Sequence, residues 1–566
     1  MNHELPENWD LEADLVSVGS GGGGLCAAIT AADNGLSALV LERSNEVGGV
    51  TAYSMGEVWI PGNHLAKNEG INDSAESGYR YVKDLSMGYG EDLAIINQAI
   101  HGPMALEYFE QTIGLKMTVI KGLPDYYYPY NQDGLAEGRY LEAEPFPAAT
   151  LGEWQTKTRI SPHVPYSLTH EDIFSGGGMA NMAGWDYGVM TERLTKDLRC
   201  AGPGLAAYFV KGALDLNIPL HTGMAVEELI SDGERVVGVR AVKDGKDVFV
   251  KANRGVVIAV SSYERNASYA KTLGHQLKVE SMVMPSIDGA HLRLAGMLGA
   301  RVARVPDVTL LGFHVPGEEQ EDGIPLWRGA LPFLGLPHTI VVNQSGKRFA
   351  NEGFYRSIYY ATDAIDGNTQ THANFPCWAI FDRQAREKYP FGSLMPMQDM
   401  PEELGVTADS LSELADRIGI DPNQLEQTVA TFNGYCETGV DLDFNRGTHP
   451  WGALMCGDQN QKPNGNLGPL NKGPYYAVQL HRLAGGGICS AGIMADQHCR
   501  AIGWDNKPIQ GLYVAGNSMA RLDNGAFMQS GITNARGMTH GYLAGLHAAG
   551  KPSNLLEKEV EKYDSK

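Results

Sequence analysis

The sequence predicts an α/β fold in which a parallel-sheet domain is interrupted by an inserted α+β cap domain. Three observations predict it. The apolar run Leu15–Val18, a glycine-rich turn and the Ala-rich stretch Leu25–Asn34 read as strand, turn and helix. A second apolar strand, Leu39–Glu42, then closes a βαβ unit. Finally, 566 residues exceed what a single hydrophobic core usually serves.

Further along, Val236–Val242 and Asp247–Val250 flank Asp244-Gly245, a hairpin signal. Gly255–Val260 reads as a short buried strand, and Ser410–Cys436 has the periodicity of a polar-faced helical cap. Gly511–Gly516 reads as a last apolar strand, and Ile532–Ala549 as a helix with small residues on one face. These elements suggest a discontinuous plan: residues 1–280 and 471–566 form the parallel-sheet domain, and 281–470 form the catalytic cap. No repeat of fixed period and no low-complexity tract is visible.

Composition narrows the function classes. The chain is 43% apolar and 20% charged, with 69 glycines and a net charge of −22. Such a surface repels phosphate backbones, so nucleic acid is not an expected partner. The seven cysteines form no C-x-x-C pair, so no metal site or iron–sulfur cluster is expected, only buried thiols in a reducing compartment. The N-terminus is polar and acidic, without a signal-peptide pattern, and a cytoplasmic protein is expected. No run approaches the roughly 18 apolar residues of a membrane span. Thr309–Val315 and Gly329–Leu336 could line a pocket or touch a membrane surface; pocket lining is the reading taken.

The richest segment is Val16–Leu25. Gly19, Gly21 and Gly24 form G-x-G-x-x-G between strand and helix, with Gly22 inside it: the Rossmann-like dinucleotide fingerprint. Gly19 permits the turn, Gly21 lets backbone approach a pyrophosphate, and Gly24 lets helix and strand pack closely. The helix N-terminus offers amides and partial positive charge to phosphates. Glu42 ends the next strand about 20 residues on, where a carboxylate accepts from ribose hydroxyls.

Arg43–Gly56 reads RSNEVGGVTAYSMG and Leu512–Asn517 reads LYVAGN. This pairing resembles the fumarate reductase/3-ketosteroid dehydrogenase flavoprotein superfamily, and the resemblance spans nearly the whole chain. Gly346–Glu352 (GKRFANE) and Asp441–Gly447 (DLDFNRG) are further marks, and Pro124–Pro129 (PDYYYP) resembles the tyrosine loop of 3-ketosteroid dehydrogenases. The resemblance implies FAD, held by Arg43, Gly49, Thr51, Ser54, Gly56, Val226, Gly516, Asn517, Gly531 and Ile532 besides the fingerprint residues. The helix after Gly531 would stabilise charge at the flavin N1–C2=O edge.

By the same resemblance, Tyr355 is the catalytic base, with Tyr359 as fallback. Tyr126, with Tyr127 behind it, supports the proton relay. The family holds the ketone oxygen with a tyrosine and a glycine amide; here Phe527 replaces the tyrosine. Gly531 keeps its N–H, and Gln529 or Ser530 could supply a second donor. Other departures are Met55 within Ser54-Met55-Gly56 and Ser261-Ser262, both at usual glycine positions. His481-Arg482, before Gly485–Gly487, matches a region where fumarate reductases bind substrate, but their carboxylate-gripping loop arginine is absent.

The resemblance therefore implies desaturation of a small, neutral, apolar ring ketone, steroid or smaller. A flavin ene-reductase of an enone or unsaturated acid is the alternative, and a flavin subunit of an electron-transfer complex a third. The electron acceptor stays open among a quinone, another carrier and oxygen. Membrane association is not signalled.

Overall fold

The computed structural model describes residues 5–273, 277–484, 488 and 490–563. Among these, β1 (Leu11–Val18), α1 (Gly22–Asp33) and β2 (Ala38–Leu41) form the expected βαβ unit. β1 lies between β2 and Lys246–Ile258 in an eight-stranded sheet, with both neighbours parallel to it. Pro508–Val514 adds a further parallel strand, pairing Val256 with Leu512.

Alternation along β1 explains its apolar run. Leu15 enters the core beneath α1 and the helices Ala201–Asp215 and Ile532–Ala548, whereas Val16 and Val18 enter the core on the opposite face. A parallel sheet covered on both faces needs near-continuous apolar strands. The expected hairpin forms at Asp244 (φ 50°) and Gly245 (φ 75°), the paired left-handed turn that matches strand twist. Its second arm and the expected strand from Gly255 are one continuous strand, Lys246–Ile258.

Gly537, Gly541 and Gly545 form the small-residue face of the C-terminal helix and meet α1. A Cβ on Gly541 would lie 2.6 Å from that of Cys26, and one on Gly545 2.6 Å from that of Thr30. Close approach of these helices ties the chain's late residues to its beginning.

A second, seven-stranded sheet is centred on Tyr475–Ala484, flanked by Thr309–Glu319 and Cys377–Asp382. Thus the chain segment from 471 onward first contributes a strand to the cap sheet. The Ser410–Cys436 periodicity resolves into two helices, Leu411–Ile418 and Pro422–Thr438. Gly419 (φ 74°) ends the first, and Asp421 caps the second with Pro422 in its opening turn. Their apolar faces cover one side of the second sheet through Leu414, Leu425, Val429 and Phe432.

Six cysteines are buried and unpaired, while Cys489 lies outside the described residues. Burial alone pushes the Cys26 thiol up, which makes it an inert core group. No helix of the described residues is long and apolar enough to cross a membrane, and they show no cluster of potential metal ligands.

Candidate active site

A cavity of about 620 Å³ runs from the glycine-rich turn to an aromatic chamber between the two sheets. At the first end Gly19 has φ 101°, and a Cβ there would lie 2.4 Å from the Ala259 carbonyl oxygen. A Cβ on Gly24 would be 2.0 Å from the Gly19 carbonyl oxygen, so this glycine serves close packing and does not line the cavity. Gly21 caps α1 and faces the cavity; a Cβ there would meet only the Gly49 Cα, at 4.0 Å. Gly22 N donates to Thr51 Oγ1 at 3.0 Å, joining the turn to the segment after Gly49. Room for a pyrophosphate beside Gly21 is what the fingerprint requires.

Glu42 is buried in the cavity wall. Its Oε2 accepts from Ser20 N at 3.0 Å and Ser20 Oγ at 2.6 Å, and its Oε1 accepts from Ser44 N at 2.9 Å. These bonds fix the carboxylate in the cavity wall. Val226, Gly516 (φ 60°) and Asn517 line the same cavity, as do Gly49, Ser54 and Gly531. Asn534, which the motifs did not single out, donates to Ser54 Oγ at 3.2 Å and the Glu57 carbonyl oxygen at 2.9 Å. It fastens the first turn of the C-terminal helix to the Thr51–Glu57 segment.

Two residues expected at the cofactor do not line the cavity, and a third lines it at the surface. A Cβ on Gly56 (φ 80°) would fall 2.3 Å from the Ala201 carbonyl carbon, so it packs against a helix start and does not line the cavity. Ile532 turns its side chain into the apolar cluster around Trp59, because the αL cap at Gly531 rotates the helix's first side chain inward. Arg43 lines the rim, ion-paired with Asp288 and half exposed. Ser261 takes φ 65° where the family has glycine, a strain of about 1–2 kcal/mol for a residue with a Cβ. Met55 leans into a cluster with Phe174, Met179 and Met182 at the cavity wall.

At the far end Tyr355 Oη donates to Tyr126 Oη at 3.4 Å. Both tyrosines are buried and line the cavity with Ser530, Gly531, Trp451, Met455, Leu331 and Met528. Trp451 lies 4.4 Å, centroid to centroid, from Tyr126. Burial raises the Tyr355 phenol to about 12, opposed by the Arg356 guanidinium. The helix Tyr355–Thr362 presents Tyr355, and Arg356 Nη2 donates to the Ala526 carbonyl oxygen at 3.1 Å. Tyr126 sits on a loop held by Asp125, which accepts from Trp59 Nε1 at 2.8 Å and pairs with Arg139 at 2.9 Å.

That anchoring settles which loop side chain faces the chamber. Gln529 Nε2 donates to Asp125 Oδ1 at 2.6 Å, while its Oε1 accepts from Tyr81 Oη and Tyr126 N. Gln529 is fully buried behind the wall, so Ser530 is the side-chain donor left at the cavity. Phe527 packs on Trp59 and Tyr81, also behind the wall. Tyr359 and Tyr127 do not line the cavity. Arg482 is buried on Asp363 and Thr309, and His481 packs against Trp327, both away from the cavity. Gly485–Gly487 lies outside the described residues. Val308, Leu310, Phe313 and Gly329–Phe333 complete the apolar lining, as the interrupted apolar runs suggested.

A family model described as an FAD binding domain matches residues 14–533. The chain belongs to this FAD-binding family. A 3-oxosteroid 1-dehydrogenase of Mycolicibacterium smegmatis is 31% identical over 95% of this chain and 97% of its own. A 4-oxocyclohexanecarboxylate 2-dehydrogenase of Sinomonas cyclohexanicum is 30% identical over 95% and 93%. The crystal structure of 3-ketosteroid Δ1-dehydrogenase from Sterolibacterium denitrificans, in complex with 1,4-androstadiene-3,17-dione, superposes with TM-score 0.86 at 30% identity, covering 95% and 99%. A flavocytochrome c3 fumarate reductase shares the fold, with TM-score 0.61 at 17% identity. The protein is an FAD-dependent oxidoreductase whose relatives are dehydrogenases of 3-oxosteroids and cyclic ketones.

Proposed function

We propose that this protein desaturates a ring ketone, forming a C=C bond α,β to the carbonyl, with a 3-ketosteroid or a smaller cyclic ketone as substrate. The observation that carries the reading is the buried Tyr355–Tyr126 hydroxyl pair in an apolar chamber continuous with the dinucleotide cradle. The open backbone at Gly21, the braced Glu42 and the polar first turn at Thr533 and Asn534 fit FAD. When bound, the flavin supplies the two-electron oxidant that takes the β-hydride.

The chain's own residues manage the proton and the carbonyl. Tyr355 takes the α-proton and Tyr126 supports it; Ser530 Oγ and the Gly531 amide donate to the ketone oxygen as it becomes enolate-like. The apolar walls suit a neutral ring, and the names of the relatives point the same way. Membership of the second sheet, from Val279 to Ala484, supports a cap that runs past residue 470, with the rest in the FAD domain. The reverse reaction on an unsaturated acid is less well served, since Arg482 is committed to Asp363 behind the wall.

Anaerobic mixing of holoenzyme with androst-4-ene-3,17-dione, cyclohexanone and fumarate tests the reading. Bleaching of the flavin by a ketone is expected. Reaction only of pre-reduced enzyme, and only with fumarate, would overturn it. Tyr355→Phe should cut turnover by about 10²-fold or more while the flavin stays bound.

A further inference from the structure

A base with its phenol raised by burial is poorly supplied with phenolate at neutral pH, so Tyr355 must pass on its own proton as it takes the α-proton. Tyr355 already donates to Tyr126. Tyr126, Ser530 and Glu57 line the same cavity, and a Cβ on Gly531 would fall 3.1 Å from the Glu57 carbonyl carbon, so the Glu57 backbone lies against the Ser530-Gly531 loop. Among the described residues, three carboxylates line the cavity. Glu42 is braced at the ribose end, and Glu227 is paired with Arg293. The third, Glu57, lies at the tyrosine end.

Glu57 is buried, and its Oε1 meets His170 Nε2 at 3.2 Å. Its Oε2 has no hydrogen-bond partner among the described residues, on a side chain that lines the cavity. His170 is buried too, and its Nδ1 meets Glu142 Oε2 at 2.8 Å. His170 N also donates to Glu142 Oε2, at 2.9 Å, so the imidazole is clamped from ring and backbone. The two carboxylates push His170 up to about 10, making it an imidazolium at neutral pH. Beyond it, Glu142 faces the Cys200 thiol, which Arg193 and Asp172 also approach.

We propose that Glu57 is the terminal proton acceptor of this site, with His170 and Glu142 as the positioning residues that hold it. The inference rests on the ring-ketone reading. As the α C–H bond breaks, its proton goes to Tyr355 oxygen, the Tyr355 hydroxyl proton to Tyr126, and the Tyr126 proton by way of cavity water to Glu57 Oε2, so Ser530 Oγ keeps its proton for the ketone oxygen. Both tyrosines end as they began, the carboxylate becomes a carboxylic acid, and the C–H electron pair stays on the substrate as enolate. No redox change accompanies this half of the reaction.

It can therefore be watched by itself. 3,3,5,5-Tetramethylcyclohexanone has α-hydrogens but no β-hydrogen, so it can exchange into D2O without being oxidised. Proton NMR of this ketone with oxidised holoenzyme should show faster loss of the α-CH2 signal than buffer alone. Glu57→Gln should slow that exchange by about 10²-fold or more, with the flavin spectrum unchanged. His170→Gln removes the cation beside Glu57, so the acid limb of the exchange–pH profile should move up by about one unit.

Wild-type exchange in Glu57→Gln, or an unmoved acid limb in His170→Gln, overturns the relay while the ring-ketone reading stands. If Glu57→Gln does not hold flavin, the His170→Gln profile decides alone. A wild-type holoenzyme that neither exchanges this ketone nor is bleached by androst-4-ene-3,17-dione overturns both.

Discussion

The two ends of the cavity are built on opposite principles. At the dinucleotide end the working groups are backbone amides, and side chains have been removed to expose them: Gly19, Gly21 and Gly49 lie within about one strand–turn–helix of each other in sequence. At the tyrosine end the working groups are side chains, drawn from positions as distant as Tyr126, Tyr355, Trp451 and Ser530. A backbone site tolerates almost no added atom, whereas a side-chain site loses function in graded steps as each prop is removed.

The largest effect should come from the first end. Gly24→Ala would press a Cβ to within 2.0 Å of the Gly19 carbonyl oxygen. Overpacking against backbone should destabilise by about 3 kcal/mol or more, visible as a lower Tm and a lower flavin-to-protein absorbance ratio. Normal flavin content would break the comparison. Next, Gln529→Leu should leave Asp125 without one of its buried donors, at about 1–3 kcal/mol. Here the comparison sharpens: turnover should fall because the Tyr126 loop shifts, while flavin content persists.

A pH-dependent effect comes from His170. Its imidazolium is favoured by folding, from an ordinary value of 6.5 up to about 10. The stabilisation is therefore complete below about pH 6.5 and is lost as pH climbs through about 10. The Tm difference between wild type and His170→Gln should shrink across that window. Smallest of all, Arg43→Ala removes a half-exposed pair with Asp288, worth at most about 1 kcal/mol. Titration of apoprotein with FAD should show little change.

This contrast also explains what could be read in the sequence. The fingerprint, β1, α1, β2 and the small-residue face of the helix Ile532–Ala548 are local patterns with fixed periods, so each was legible. Tyr126 and Tyr355 were reached through resemblance alone, since nothing in their spacing joins positions 229 residues apart. Gln529 stood beside Ser530 as a candidate ketone donor, because its commitment to Asp125 is a tertiary fact that no sequence pattern displays. Glu57 gave no signal: its meaning depends on His170, which arrives from a helix 113 residues later. Likewise, the break at Gly419-Ile420-Asp421-Pro422 was hidden by an apolar stripe that continues across both helices.

The fastening of the C-terminal helix onto α1 has a consequence for biosynthesis. A ribosome delivers Gly21 and Glu42 early, but Gly516, Gly531 and Asn534 emerge only after more than four hundred further residues. A nascent chain thus exposes half a cofactor berth through most of its translation, and loading must await release of the last segment.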